Sequence, residues 1–214
     1  MVKVKILIII ILIAKFALAT NFQINPKPEV KVKEPRNHLG LSVLYSDKGY
    51  GISGGYYKPI SHSSDLFLNF SITGISDSRE FEYFDYAGNS YIQDKLNRVF
   101  LLPLNIGIQH YLFKDDIEND FKPLINIGVT PALVLSNPYD KTYFKAFGYF
   151  NAAYAFGGFA GVGMEFEQSK NLSFTLNFRY YYLPVVSGSV MSIKNNQMKD
   201  LGGMQLVFGV NFLK

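Results

Sequence analysis

The chain has 214 residues, of which 48% are hydrophobic, 16% aromatic and 18% charged; this is too apolar for a disordered protein and fits one domain or two. The absence of cysteine excludes a disulfide framework, a thiolate metal site, a cysteine nucleophile and a lipid-modified cysteine. Losing Lys3, Lys5 and Lys15 with the first 19 residues takes the formal charge from +4 to +1, which excludes a nucleic-acid partner recruited by charge.

At the N-terminus, Lys3 and Lys5 precede an apolar run from Ile6 to Ala14, and Ala17-Leu18-Ala19 supplies the small-x-small pattern that signal peptidase accepts. Residues 1–19 read as a secretory signal peptide cleaved before Thr20. The apolar run is about half the roughly 20 residues a transmembrane helix needs. Between residues 20 and 37, Pro26, Pro28 and Pro35 alternate with Lys27, Glu29, Lys31, Lys33, Glu34 and Arg36. Prolines lack a backbone donor and mixed charges resist burial, so this segment is expected to be a flexible periplasmic extension.

From residue 38 to 214 a two-residue period takes over, in eight stretches. Residues 39–46 and 49–58 follow it loosely. Between Asp65 and Ile75, Leu66, Leu68, Phe70 and Ile72 form one face, and Asn69, Ser71 and Thr73 the other. The design repeats with Leu102, Leu104, Ile106 and Ile108 against Asn105, Gly107 and Gln109. It repeats again with Ile125, Ile127, Val129 and Leu133 against Asn126, Gly128 and Thr130. Residues 148–166 follow loosely, and Gly157, Gly158, Gly161 and Gly163 within them are expected to ease crowding rather than to cradle a phosphate. Leu172, Phe174, Leu176 and Phe178 then oppose Ser173, Thr175, Asn177 and Arg179. The last stretch sets Leu206, Phe208, Val210 and Phe212 against Gln205, Gly209 and Asn211.

The two faces decide the architecture. A soluble barrel keeps large apolar side chains inside and charge outside. Here the second face is Gly, Ser, Asn and Thr with few charges, which suits a narrow lumen and makes a poor water-exposed surface. The apolar face therefore points outward, into lipid, where every backbone group must be paired and a closed barrel is the β solution. The fold class is all-β, an eight-stranded antiparallel up-and-down transmembrane β-barrel. Connections 59–64, 114–120 and 168–171 are short, whereas 77–97, 136–147 and 184–199 are long; only 46–48 departs from short-inside, long-outside. Tyr56, Tyr57, Tyr111, Phe113, Phe166 and Phe212 are expected in one interfacial girdle, and Tyr45, Tyr50, Tyr149, Tyr180, Tyr181 and Tyr182 in the other.

On these strands, the leader and the terminal stretch Met204–Phe212, residues 38–214 resemble the small bacterial outer-membrane β-barrels, such as the transmembrane domain of outer membrane protein A. The resemblance implies a Gram-negative outer membrane, periplasmic N- and C-termini, contact with outer-membrane lipids and lipopolysaccharide, and insertion by the barrel-assembly machinery. Phe208 and Phe212 then belong to the C-terminal assembly signal, although Leu213 and Lys214 follow the final aromatic. It implies no activity.

Candidate chemistry is thin. His38, His62 and His110 all map to the periplasmic end, so no Ser/His/Asp device assembles at the outer rim. No enzymatic activity, metal or cofactor is expected. Glu165 and Arg179 lie on the lumen-facing series and are expected to pair there, because an unpaired charge in a membrane barrel is costly. In the second outer loop, Phe81, Tyr83, Phe84 and Tyr86 alternate with Glu80, Glu82 and Asp85, as if the strands continued past the membrane. Exposed rings among charges make contact surfaces, which points to adhesion or recognition of a surface ligand. The alternatives are a narrow channel for small or apolar solutes and an enzyme modifying lipid A.

Overall fold

The computed structural model describes residues 36–113, 121–141 and 147–213; the expected leader and nearly all of the extension lie outside them. Eight strands make the wall: β1 (His38–Ser46), β2 (Gly49–Ser61), β3 (Ser64–Ile75), β6 (Asn97–Tyr111), β7 (Phe121–Pro138), β8 (Asn151–Ser169), β9 (Leu172–Tyr182) and β11 (Gly203–Leu213). Each pairs antiparallel with its neighbours, and β1 pairs with β11 from His38↔Leu213 to Ser46↔Gln205, which closes the barrel. Two small strands, β4 (Glu82–Phe84) and β5 (Ser90–Ile92), form a separate hairpin, and β10 (Val185–Ser187) pairs with the extended end of β8.

The register fixes the shape. Directly paired residues run His38, Tyr57, Phe67, Gly107, Gly128, Phe159, Tyr181, Gly203 around the wall. His38 itself pairs with Leu213, ten residues beyond Gly203, so the sheet closes with a shear of ten. With about 3.3 Å per residue and about 4.8 Å between strands, eight strands at that shear tilt by about 40°.

Burial follows the alternation read from the sequence. On β3, Leu66, Leu68, Phe70 and Ile72 are exposed on the outer face, while Asp65, Phe67, Asn69, Ser71 and Thr73 are buried inside. Leu41, Val43, Ile52, Ile108, Ile127, Phe174, Phe178, Phe208 and Phe212 continue the outer apolar belt around the barrel. A belt of this size is stable against hydrocarbon and not against water.

Three features differ from expectation. Tyr57, Tyr111 and Tyr181 are buried in the lumen and belong to neither girdle. Each neighbours a tyrosine or leucine on the outward series, and in a strand adjacent side chains take opposite faces. The strand expected over 148–166 begins at Asn151, because Phe147–Tyr149 wind into a 3-10 turn, and it runs on to Ser169. The second loop does not carry β3 and β6 straight outward: Asp77 turns the chain, its Oδ1 accepting from the Arg79 amide at 3.0 Å and its carbonyl from the Glu80 amide at 3.0 Å.

Candidate functional site

The lumen has two halves. Towards the end carrying the termini it is polar: Gln109 Nε2 donates to Tyr111 Oη at 2.9 Å, and Tyr111 Oη donates to Glu165 Oε2 at 2.7 Å. Asn126 Nδ2 donates to Asn177 Oδ1 at 3.0 Å, and Thr130 Oγ1 to Asn105 Oδ1 at 2.8 Å. Arg179 is fully buried among rings, its guanidinium 5.4 Å from the centre of Phe67 and 5.3 Å from that of Phe159. Those rings belong to a continuous series: His38 on Tyr57 at 4.4 Å, Tyr57 on Phe67 at 5.5 Å, Phe67 to Phe159 at 6.0 Å and Phe159 on Tyr181 at 5.1 Å.

Phe67 and Phe159 meet because Gly107 and Gly128 lie between them in the register. A Cβ on Gly128 would stand 2.7 Å from Phe159 Cζ, and one on Gly107 would stand 2.9 Å from Phe67 Cζ. Gly161 likewise leaves room for Arg179, whose Cγ would be 2.7 Å from an added Cβ. Of the four glycines expected to ease crowding, Gly161 does so against Arg179 and Gly163 against the Asn177 side chain, while Gly107 and Gly128 are not among those four.

Glu165 and Arg179 both face the lumen as read from the sequence, but they do not pair with each other. Register sets Glu165 opposite Thr175 and Arg179 opposite Gly161, four residues apart along β8. Glu165 takes the Tyr111 hydroxyl instead, and Arg179 is held by aromatic faces, a cation–π arrangement strengthened by desolvation. Among the described residues Arg179 Nε has no hydrogen-bond partner. The alternation identified which side chains point inward; it held no information on how far apart they would be.

The other half of the lumen is an apolar cap. Ile75, Val99, Leu101, Ala132, Val134, Ala153 and Ala155 from the wall pack with Leu183, Val190, Met198 and Leu201 from the fourth long-end connection, residues 183–202. This connection therefore folds back into the mouth. The Asp200 carboxylate accepts from the amides of Leu183 at 3.0 Å and Gly202 at 2.9 Å, and Lys48 Nζ donates to the Asp200 carbonyl at 2.6 Å. Sequence reasoning missed the cap: its apolar residues are few and aperiodic among Ser, Gly, Asn and Lys.

A buried polar latch joins the cap to the second loop. Lys95 Nζ pairs with the Glu80 carboxylate, both side chains being at most 7% exposed, and donates to Ser192 Oγ at 3.0 Å. The amides of Leu96 and Asn97 both donate to the Ser192 carbonyl, at 2.8 and 3.1 Å. Asn196 joins Asp77 to Arg79 across the same junction. Burial pushes the Glu80 carboxyl up, but Lys95, the Ser192 hydroxyl and the Asp77 amide together outweigh it and hold it below the usual carboxylate range.

Beyond the latch stands the β4–β5 hairpin. Its turn is built on Asp85, whose Oδ1 accepts from the amides of Ala87 at 2.9 Å and Asn89 at 2.8 Å, holding that carboxyl below its ordinary value. The Asn89 side chain and amide are the leading causes of that depression. Tyr83 and Tyr91 stack across the two strands at 5.8 Å. All four rings singled out from the sequence are exposed: Phe81 at 63%, Tyr83 at 45%, Phe84 at 70% and Tyr86 fully. Between this hairpin and the cap lies a cleft of about 180 Å³ lined by Arg79, Phe81, Tyr83, Gln93, Asp94, Ile193 and Lys194. Among the described residues no three His, Asp or Glu side chains are grouped to hold a metal ion.

No known family model matches the chain, and no curated protein matches its sequence. Solved structures do match its fold. The N-terminal β-barrel domain of Pseudomonas aeruginosa OprF superposes with a TM-score of 0.52 at 10% identity, covering 83% of this chain and 96% of that one. Neisserial surface protein A superposes at 0.50 with 11% identity, covering 83% and 94%. Ail, the attachment invasion locus protein of Yersinia pestis, reaches 0.46 at 9% identity, covering 85% and 100%. At these identities what the chain shares with the first two is the fold, that of the small eight-stranded outer-membrane barrels.

Proposed function

We propose that the protein is an integral outer-membrane barrel, non-enzymatic and without a cofactor, that acts in surface recognition through its long loops. In this reading the termini face the periplasm, the long loops face outward among lipopolysaccharide sugars, and the barrel-assembly machinery inserts the chain. The observation that carries it is the contrast between the two ends of the molecule. The lumen is filled with packed side chains and capped, whereas the hairpin beyond the cap exposes Phe81, Tyr83, Phe84 and Tyr86 on a turn pinned by its own hydrogen bonds. Rings held out rigidly in water lose little entropy when a partner covers them.

The test is binding of the purified barrel, and of cells displaying it, to host-cell or abiotic surfaces. Replacing Phe84 and Tyr86 by serine should cut binding several-fold while the gel mobility of the folded barrel stays unchanged; unchanged binding refutes the reading. Planar-bilayer recording separates the alternative of a narrow channel. A capped lumen predicts no defined conductance steps, and regular steps in the wild type would favour the channel.

A further inference from the structure

The cleft between the hairpin and the cap has the chemistry of a sugar-binding site, and we propose that it takes a single pyranose unit carrying an acidic group. The proposal rests on the recognition reading and assigns it a ligand class. Three observations support it. The first is size: about 180 Å³ is the room of roughly six waters, which is the scale of one sugar ring and far too small for a folded peptide segment.

The second is the lining. Phe81 and Tyr83 supply aromatic side chains of the kind that pack on the C–H face of a pyranose, while Gln93, Asp94, Arg79 and Lys194 line the same space with both donors and acceptors for its hydroxyls. Two cations, Arg79 and Lys194, line the cleft beside the single carboxylate of Asp94, which favours an acidic sugar over a neutral one. The Arg79 side chain is 67% exposed although it is anchored by Asn196 and lies 3.8 Å from Asp77 Oδ1. Lys194 is exposed, and among the described residues no side chain pairs with its ammonium.

The third is preorganisation of both walls. Asp94 adopts φ 55° and its carbonyl accepts from the Lys194 amide at 2.9 Å. Lys95 bridges to Ile193 in antiparallel fashion, and the Asn196 amide donates to the Ile193 carbonyl at 3.4 Å. Backbone bonds thus join the two segments that line the cleft, so a ligand has little ordering to do.

The experiment is calorimetric titration of the full mature protein in dodecylphosphocholine micelles, which avoids sugar-headed detergents. The probes are a tetrasaccharide of alternating glucuronate and N-acetylglucosamine, the neutral N-acetylglucosamine tetramer, and the acidic core oligosaccharide released from lipopolysaccharide. The expected result is that at least one acidic probe binds about tenfold or more tighter than the neutral one, and weakens with added salt. Phe81→Ala and Lys194→Gln should each lower that affinity about tenfold, with the heat-dependent gel shift intact. Preference for the core oligosaccharide identifies a lipopolysaccharide sugar as the source, and preference for the glucuronate probe a foreign glycan. No binding of any probe, equal binding of the neutral tetramer, or affinity unchanged in both variants overturns the proposal. If surface binding still falls in the Phe84/Tyr86 variant while all three sugars fail, the recognition reading stands and the ligand class alone is wrong.

Discussion

Replacing Lys95 by methionine tests whether the cap is latched as described. The substitution keeps the stem length, removes the ammonium, and leaves the Glu80 carboxylate with the Asp77 amide and the Ser192 hydroxyl. Both partners are nearly inaccessible, so breaking the pair costs about 3 kcal/mol, the lower end for a buried ion pair because this one borders the surface. That corresponds to roughly a hundredfold in the opening equilibrium of the segments it joins. Hydrogen exchange reads it directly at the Leu96 and Asn97 amides, which bond to the Ser192 carbonyl, and at Met198, whose amide bonds to the Val190 carbonyl at 2.8 Å. Their exchange should accelerate about a hundredfold, while amides in the β1–β2 ladder stay protected. The double variant Lys95→Met with Glu80→Gln should recover part of the loss, because it no longer buries an unpaired charge. The pH dependence has a definite sign. A carboxyl held below its ordinary value in the folded protein contributes stability above that value, about 4.5, and loses it as pH falls through the folded one. Wild-type protection should therefore be flat from pH 7 to about 5.5 and decline as pH falls below about 4.5. Acceleration of less than about twofold at all three amides in the folded variant would refute the latch.

Two further outcomes follow from the faces of the wall. Phe70→Arg places a charge at mid-strand on the outer belt and should destabilise the barrel in a bilayer by about 2–4 kcal/mol, measured by denaturant titration in lipid vesicles; a neutral effect would mean that face is wet. Tyr111→Phe removes the hydroxyl that Glu165 accepts from inside the barrel and should cost about 1–3 kcal/mol in micelle unfolding, and a change below about 0.3 kcal/mol would show that the carboxylate has another sufficient partner.

Much of the wall is legible in the sequence because a strand has one bit of information per residue. Leu66, Leu68, Phe70 and Ile72 against Asn69, Ser71 and Thr73 settle strand, face and surroundings together. The exposed rings of the hairpin were likewise visible, since Phe81–Tyr86 sits between two strand patterns with no apolar face to bury. What remained illegible depends on distances between strands. Whether Glu165 reaches Arg179 is set by register and shear, and the aromatic series from His38 to Tyr181 joins residues from five strands with no sequence spacing in common. Tyr57, Tyr111 and Tyr181 misled because an aromatic near a strand end has two uses, interfacial anchor and lumen filler, and parity rather than type distinguishes them. The cap was hidden for another reason: Val190, Met198 and Leu201 are buried by a loop that has no period at all.

The central claim, a closed barrel with its apolar face outward in a membrane, is tested most directly by fractionating cells that express the protein and running the mature chain unboiled and boiled on a detergent gel. The account predicts recovery in the outer membrane and a distinct mobility for the unboiled sample, because a closed hydrogen-bonded wall resists detergent unfolding until heated. Recovery in the soluble periplasm with a single mobility would contradict it, and would place the apolar residues inside a water-soluble barrel.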